Sequence, residues 1–257
     1  MTTTDFHALT EIAGTEVSRE QVERLCHRYI WAARQCRGKD VIEAACGTGA
    51  GLGLLTDVAR SLRAGDYDRT TLSIVSEHYG DRVAAEWFDA QAMPFADASA
   101  DVVFLFEAIY YLPDAPRFVA ECRRVLRPGG LVLVATANKD LYDFNASPHS
   151  HTYYGAADFA DLFGPDFNVA CFGHLSFEDV SFRQRALRGV KRLAVKLDLI
   201  PKTQAGKKFF KKFVFGKLMP MPAEVRGDMI DYAEPKLLPP GEPDREHKVI
   251  YCAATKR

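Results

Sequence analysis

Neither sign of charge is in excess in this chain of 257 residues: 33 Lys and Arg stand against 34 Asp and Glu, for a formal net charge of −1. That balance excludes a globally basic nucleic-acid binder, while leaving room for local patches. Long apolar runs are also missing; the longest are of strand length, too short to span a bilayer. The opening residues Met1-Thr2-Thr3-Thr4-Asp5 lack the basic and apolar regions of a signal peptide, so a cytoplasmic location is expected. The six cysteines (Cys26, Cys36, Cys46, Cys122, Cys171 and Cys252) have no close pairing of the zinc or redox kind, and reduced thiols follow. With 47% hydrophobic and 26% charged residues, the chain has material for one large α/β domain with an elaboration, two domains at most.

The most informative stretch is Val41-Ile42-Glu43-Ala44-Ala45-Cys46-Gly47-Thr48-Gly49-Ala50-Gly51, followed by Leu52, Leu54 and Leu55. It reads as a buried strand ending in an acid, a tight small-residue loop and a helix start. Small residues let a ligand lie against the backbone, and the helix offers free N–H groups beside it. A glycine-rich loop also serves plain turns, so its spacing to other signals matters. Gly65-Asp66-Tyr67-Asp68 falls where a second βαβ strand should present an acid to ribose hydroxyls, with Asp66 and Asp68 both open as that acid. Asp89 follows a third strand candidate, Ala84 to Phe88, and leads into Met93-Pro94-Phe95. Asp101 to Glu107 is a buried fourth strand ending in another acid. Arg124-Val125-Leu126-Arg127-Pro128-Gly129-Gly130 closes a helix and turns into a fifth strand, Leu131 to Ala135.

The order and spacing of these stretches over residues 25–140 resemble the class I S-adenosylmethionine-dependent methyltransferases, in the branch with the "Met/Leu-Pro-Phe … Asp" segment and the "Arg-any-Leu-any-Pro-Gly-Gly" turn. The resemblance implies a Rossmann-like, mostly parallel seven-stranded sheet with helices on both faces, and S-adenosylmethionine as cofactor. It places Glu43 at the methionine end, Ala45, Cys46, Gly47 and Gly49 along the cofactor, Asp66 at the ribose, Asp89 with Ala90 at the adenine, and Tyr67 among the cofactor-binding residues. Phe106 and Glu107 begin a stretch, through Leu112, that in the family abuts adenine and the acceptor pocket. This chain departs from the pattern at Ala45, where the family has glycine, and at Ser61-Leu62-Arg63-Ala64, which is polar for a central strand.

Ahead of the core, residues 16–36 carry Val17, Val22, Leu25, Tyr29, Ile30 and Ala33 at helical spacing, with Thr15 or Ser18 as cap. The segment from His27 to Ala32 is similar to the family's "Arg-Tyr … Ala" signature, which implies Tyr29 near the methionine end; Tyr29 and Trp31 as ordinary core aromatics is the competing reading. Further helices are expected at 50–61, 69–79, 114–126 and 155–163. Right-handed crossovers then bring the loops after Cys46, Asp66, Asp89 and Phe106 to one sheet edge.

Asn138 to Tyr154 is polar, aromatic and aperiodic, a loop over that edge. His149 and His151 bracket Ser150; with no third ligand beside them no metal site is expected, and the open readings are a base, an acceptor contact or plain exposure, of which the base is carried forward. The loop resembles those of methyltransferases of bacterial glycan and natural-product gene clusters.

Strands at Asn168–Phe172 and Lys248–Ala254 would form a hairpin in the simple family fold, the latter as the last edge strand. Here residues 175–246 intervene, so the expected division is a core of 1–174 plus 247–257 and a mainly helical insertion that caps the acceptor site. From Ser176 to Pro220 twelve basic residues face three acidic ones, interleaved with apolar positions as in two amphipathic helices broken at Pro201. From Met221 to His247 three basic residues face seven acidic ones. The basic stretch suits an anionic small-molecule or saccharide acceptor, peripheral membrane contact through 183–217, or a solvated face paired with the acids after it. No nucleic acid is expected as partner, since no RNA-binding module is apparent.

The expected activity is methyl transfer to a small-molecule or saccharide acceptor, in the first instance O-methylation of a sugar in a nucleotide-linked or lipid-linked glycan. N-methylation of an amine natural-product intermediate and a catalytically silent cofactor-binding scaffold are the alternatives. A nicotinamide-dependent oxidoreductase would share the βαβ start, but fits the Glu43–Gly51 loop and the Pro-Gly-Gly turn less well.

Overall fold

The computed structural model describes residues 11–176 and 218–257. A short strand β1 (Glu16–Val17) leads into helix α1 (Arg19–Cys36), which starts at the Ser18 cap: the Ser18 side chain accepts from the Gln21 N–H and the Gln21 side chain returns to the Ser18 N–H. Alternating units follow: β2 (Asp40–Ala44), α2 (Leu52–Val58), β3 (Ser61–Asp66), α3 (Arg69–Tyr79), β4 (Ala85–Trp87), β5 (Ala100–Phe106), α4 (Ala115–Val125) and β6 (Leu126–Ala137). Then come α5 (Asp158–Phe163), β7 (Phe167–Ser176), β8 (Met219–Pro220), β9 (Lys236–Leu237) and β10 (His247–Lys256). Between residues 218 and 246 the chain holds two two-residue strands and no helix; the amphipathic helices expected over 183–217 lie outside the described residues.

The main sheet has eight strands in the order β4-β3-β2-β5-β6-β10-β7-β9. Pairing is parallel from β4 through β6 and antiparallel from there on. The eighth strand, beyond the seven expected, is β9, whose Leu237 and Lys236 pair with Phe172 and Gly173. β10 is not an edge strand: it lies between β6 and β7, buried at Val249, Ile250, Tyr251, Cys252 and Ala254. A strand covered on both faces needs a near-continuous apolar run, which Val249 to Ala254 is.

Because successive strand residues face opposite sides, the run from Val102 to Phe106 splits between two cores. Val103 and Leu105 join Ile42, Phe118, Val132, Val134 and Phe159 under α4 and α5. Val102, Phe104 and Phe106 join Val41, Leu133 and Tyr251 under α1. That explains why α1 is buried on most of its surface, from Leu25 through Ala33. The polar strand β3 is accommodated near the sheet edge: Arg63 lies 4.5 Å from the Phe95 ring centre and donates to the Ser99 carbonyl, while the Cβ that Gly65 lacks would fall 2.2 Å from the Glu86 carbonyl. Helix α2 ends at Val58, short of the expected 61, where Ala59 turns to an extended backbone and Arg60 N–H bonds the Lys39 carbonyl.

Candidate functional site

β2 runs in parallel between β3 and β5, with Ala44 opposite both Gly65 and Leu105, so its carboxyl end opens at the middle of the sheet. There the chain turns sharply. Ala45, Gly47 and Gly49 have φ of 58°, 57° and 80°, the left-handed region that glycine enters freely and alanine at a cost of roughly 1 kcal/mol. The Cys46 N–H donates to the Gly65 carbonyl and the Gly49 N–H to the Cys46 carbonyl, closing the loop on itself. Burial pushes the Cys46 thiol well up, so it stays protonated.

Inside this loop, Tyr29 from α1 donates from Oη to Glu43 Oε1 at 2.7 Å. A Cβ on Gly51 would fall 2.0 Å from the Tyr29 ring, so that glycine is what lets the ring lie on the loop. Glu43 is 1% exposed and its Oε2 has no partner. Burial pushes its carboxyl up to about 8 against the opposing pull of Tyr29 and Arg28. Arg28, next along the helix, is ion-paired with Glu11; burial opposes its charge, and Glu11 and then Glu107 more than offset this.

At the end of β3, Asp66 accepts from the Gly47 N–H through Oδ2 and from the Asp68 N–H through Oδ1, both at 2.9 Å. Asp68 is instead the cap of α3, accepting from the Thr70 N–H at 2.8 Å. The geometry thus separates the two acids: Asp66 faces the loop and Asp68 faces its own helix. Burial raises the Asp66 carboxyl, the backbone donors opposing it. Tyr67 is exposed and packs on Trp87, whose indole N–H donates to the Tyr67 carbonyl.

Asp89 accepts from the Gln91 N–H at 2.8 Å, and Ala90 is buried beside Phe88 and Met93 in the α4-side core. Phe106 packs among Tyr29, Trp31 and Phe104 beneath α1. The next residue, Glu107, has φ of 50°; its carboxylate accepts from Arg24 at 3.2 Å and from Tyr110 Oη at 3.1 Å. Tyr110 stacks on Tyr153 with ring centres 4.5 Å apart, and Tyr111 and Phe144 extend the aromatic cluster. The His151 N–H donates to the Tyr110 carbonyl at 2.7 Å, pinning the 138–154 loop to this edge. The side chains of His149 and His151 are exposed. Among the described residues no group of three or more His, Cys, Asp or Glu could hold a metal ion.

The structure therefore joins Tyr29 to Glu43 and Asp66 to the Ala45–Gly49 loop by direct hydrogen bonds, and sets Glu107 at the neighbouring strand end. Sequence reasoning missed Arg28, Arg24 and Glu11. Arg28 stands in the quoted Arg-Tyr pair, but nothing in helical periodicity marks a buried cation.

Residues 42–134 match the methyltransferase domain family model. A "probable S-adenosylmethionine-dependent methyltransferase" of Mycolicibacterium smegmatis is 40% identical over 144 residues, 54% of this chain and 53% of that protein. Over residues 42–134 the chain is thus similar to methyltransferase domains, and the relatives matched there are described as S-adenosylmethionine-dependent. A Mycobacterium tuberculosis relative of the same description is 45% identical over 107 residues, 42% of this chain and 39% of its own length. The chain thus spans about half or less of the curated relatives it matches. A solved S-adenosylmethionine-dependent methyltransferase of Archaeoglobus fulgidus superposes with a TM-score of 0.56, at 15% identity, over 93% of this chain and 95% of its own; at that identity the likeness is one of fold.

S-adenosylmethionine is the cofactor that the names of these relatives give, and the matched region has features that fit it. A buried carboxyl with an orphaned oxygen, Glu43 Oε2, lies by the loop, and the loop meets Asp66 through the Gly47 N–H.

Proposed function

We propose that this chain transfers the S-adenosylmethionine methyl group to a hydroxyl of a sugar in a nucleotide-linked or lipid-linked glycan. One observation carries the reading: the strand-end acids Glu43, Asp66 and Glu107 stand at one sheet edge around the left-handed loop Ala45–Gly49. Bound there, the cofactor supplies a methyl group activated by a positive sulfur. The enzyme's own work is alignment and exclusion of water. In this reading Glu43 and Tyr29 face the methionine end, the loop lies along the cofactor, Asp66 takes the ribose hydroxyls, and Asp89 with Ala90 reaches the adenine.

The acceptor lies beside Glu107, against Tyr110, Tyr111 and Tyr153. Stacked phenol rings present an apolar face with polar rims, which suits an amphipathic ring such as a pyranose. A hydroxyl acceptor also surrenders its proton as the new bond forms, and His151 or His149 takes it, with Glu107 as the third candidate. A hydroxyl acceptor is supported by one relative, a ubiquinone biosynthesis O-methyltransferase of Mesorhizobium japonicum, 28% identical over 126 residues. A phthiotriol/phenolphthiotriol dimycocerosates methyltransferase of Mycobacterium ulcerans is a second relative, 38% identical over 102 residues. The basic stretch 183–217 is assigned here to an anionic group on the acceptor or to the membrane that carries it.

Calorimetric titration with adenosylmethionine, adenosylhomocysteine and NAD tests the cofactor half. The first two should bind and NAD should not, and Asp66→Ala should weaken binding at least about tenfold, given 1.5–3 kcal/mol for a hydrogen bond to a charged group. Unchanged affinity in that variant would remove Asp66 from the site. Methyl transfer to nucleotide sugars and to lipid-linked saccharides tests the acceptor half.

A further inference from the structure

We infer that Glu11 is a built-in placeholder on Arg28, displaced when the ligand of this site brings its own carboxylate to that guanidinium. The inference rests on reading the site as an S-adenosylmethionine cradle. Its physical basis is the way one buried cation is neutralised.

The Arg28 side chain is 7% exposed. Its guanidinium is ion-paired with Glu11, the second contact, Nη1 to Oε1, being 3.4 Å, and its Nε–H has no partner. Removing the partner of a buried charge is strongly destabilising, so Arg28 needs a carboxylate at all times. Yet Glu11 does not belong to the core. Its side chain is 37% exposed, and it stands ahead of β1 on a strap tied down by backbone contacts. The Thr48 hydroxyl donates to the Glu11 carbonyl at 2.8 Å, which puts this strap directly on the glycine loop. Further along, Gly14 N–H donates to the Met221 carbonyl and Met221 N–H to the Thr15 carbonyl, both at 2.9 Å, as β1 pairs with β8.

A carboxylate is thus delivered to the mouth of the loop, next to the Tyr29–Glu43 pair, by a segment that is itself partly open to solvent. The methionine end of the cofactor carries an α-carboxylate, and a planar guanidinium fork receives either carboxylate equally well. Exchange of one for the other leaves Arg28 paired throughout, so no uncompensated buried charge arises on the way. While Glu11 holds the anchor the site is closed to the ligand carboxylate, and the apparent affinity falls by the fraction of molecules so occupied. A nucleoside without the amino-acid end does not compete for Arg28 and escapes that penalty.

The experiment compares wild type with Glu11→Gln by calorimetry, using S-adenosylhomocysteine and 5′-methylthioadenosine, which shares the nucleoside and thioether but lacks the carboxylate. The expected result is tighter adenosylhomocysteine binding in the variant, by about fivefold or more if four in five molecules are closed, with methylthioadenosine unchanged. The ligand-free melting temperature of the variant should not rise. Unchanged or weaker adenosylhomocysteine binding would overturn the inference, since a purely structural brace loses both stability and affinity when cut. Equal tightening of both ligands would overturn it too, because a strap that only obstructs the pocket does not discriminate between them. Failure of either nucleoside to bind wild type would instead strike the cofactor reading itself, and this inference with it.

Discussion

Tyr29 and Glu43 join α1 to the end of β2 by a 2.7 Å hydrogen bond between two buried side chains, one on a helix and one at a strand end. Glu43 gains its proton affinity from burial, and its folded pKa of about 8 lies above its ordinary value. The folded state then binds more protons than the unfolded one between about 4.5 and 8, so this group's contribution to stability is complete at low pH and is lost as pH rises through 8. Glu43→Gln keeps an acceptor for Tyr29 and cannot ionise. Urea unfolding from pH 5 to 9 should therefore show the variant gaining on wild type as pH rises; parallel curves would contradict the buried, raised carboxyl.

Histidines 27 and 174 give the opposite sign. Their rings stack with centres 3.5 Å apart, and His27 donates through Nε2 to the Ala233 carbonyl while Nδ1 accepts from Tyr251. Burial lowers both, His174 to about 3, where a proton would also be repelled by the neighbouring Arg24, while the Ala233 carbonyl and then Glu234 pull His27 the other way. The folded state stays neutral while the unfolded state takes up protons below about 6.5, so stability falls as pH drops from there toward 3. His174→Phe should flatten that acid limb, measured as midpoint against pH.

Arg124 joins two of the sequence signatures. From α4 it donates to the Met93 and Phe95 carbonyls at 2.9 and 2.6 Å, and pairs with Glu121 at 2.7 Å. Arg124→Met should cost about 2 kcal/mol in denaturant unfolding, because both carbonyls lose a charged donor. A loss under about 0.5 kcal/mol would mean solvent replaces it without penalty.

If the acceptor is a hydroxyl, the base should be found on the loop pinned at Tyr110. His151→Ala is expected to lower kcat roughly a hundredfold with little change in cofactor affinity, and His149→Ala less. Near-normal turnover in both variants and in the double variant would move the role to Glu107.

The strand ends and their acids were legible because parallel buried strands write themselves as unbroken apolar runs, and Val41 to Glu43 and Val102 to Glu107 are such runs. Helices α3 at Arg69–Tyr79 and α4 at Ala115–Val125 matched expectation to within a residue, each entered through an Asp cap. The place of β10 was not legible. Its apolar run reports burial, but which neighbours cover it depends on pairing with β6 and β7, whose partners lie more than a hundred and about eighty positions away.

Local chemistry alone was enough for the tight turn after β2 and for a cap on α1 at Thr15 or Ser18, since each depends on neighbours in the chain and on backbone freedom. Tertiary structure alone decided that Asp66 and not Asp68 faces the loop, that His27 meets His174, and that Arg28 is buried against Glu11. Those outcomes are set by which elements pack together. Charge, proton affinity and pairing inside a core follow from the solvent that distant segments exclude, and periodicity along one segment carries no record of that exclusion.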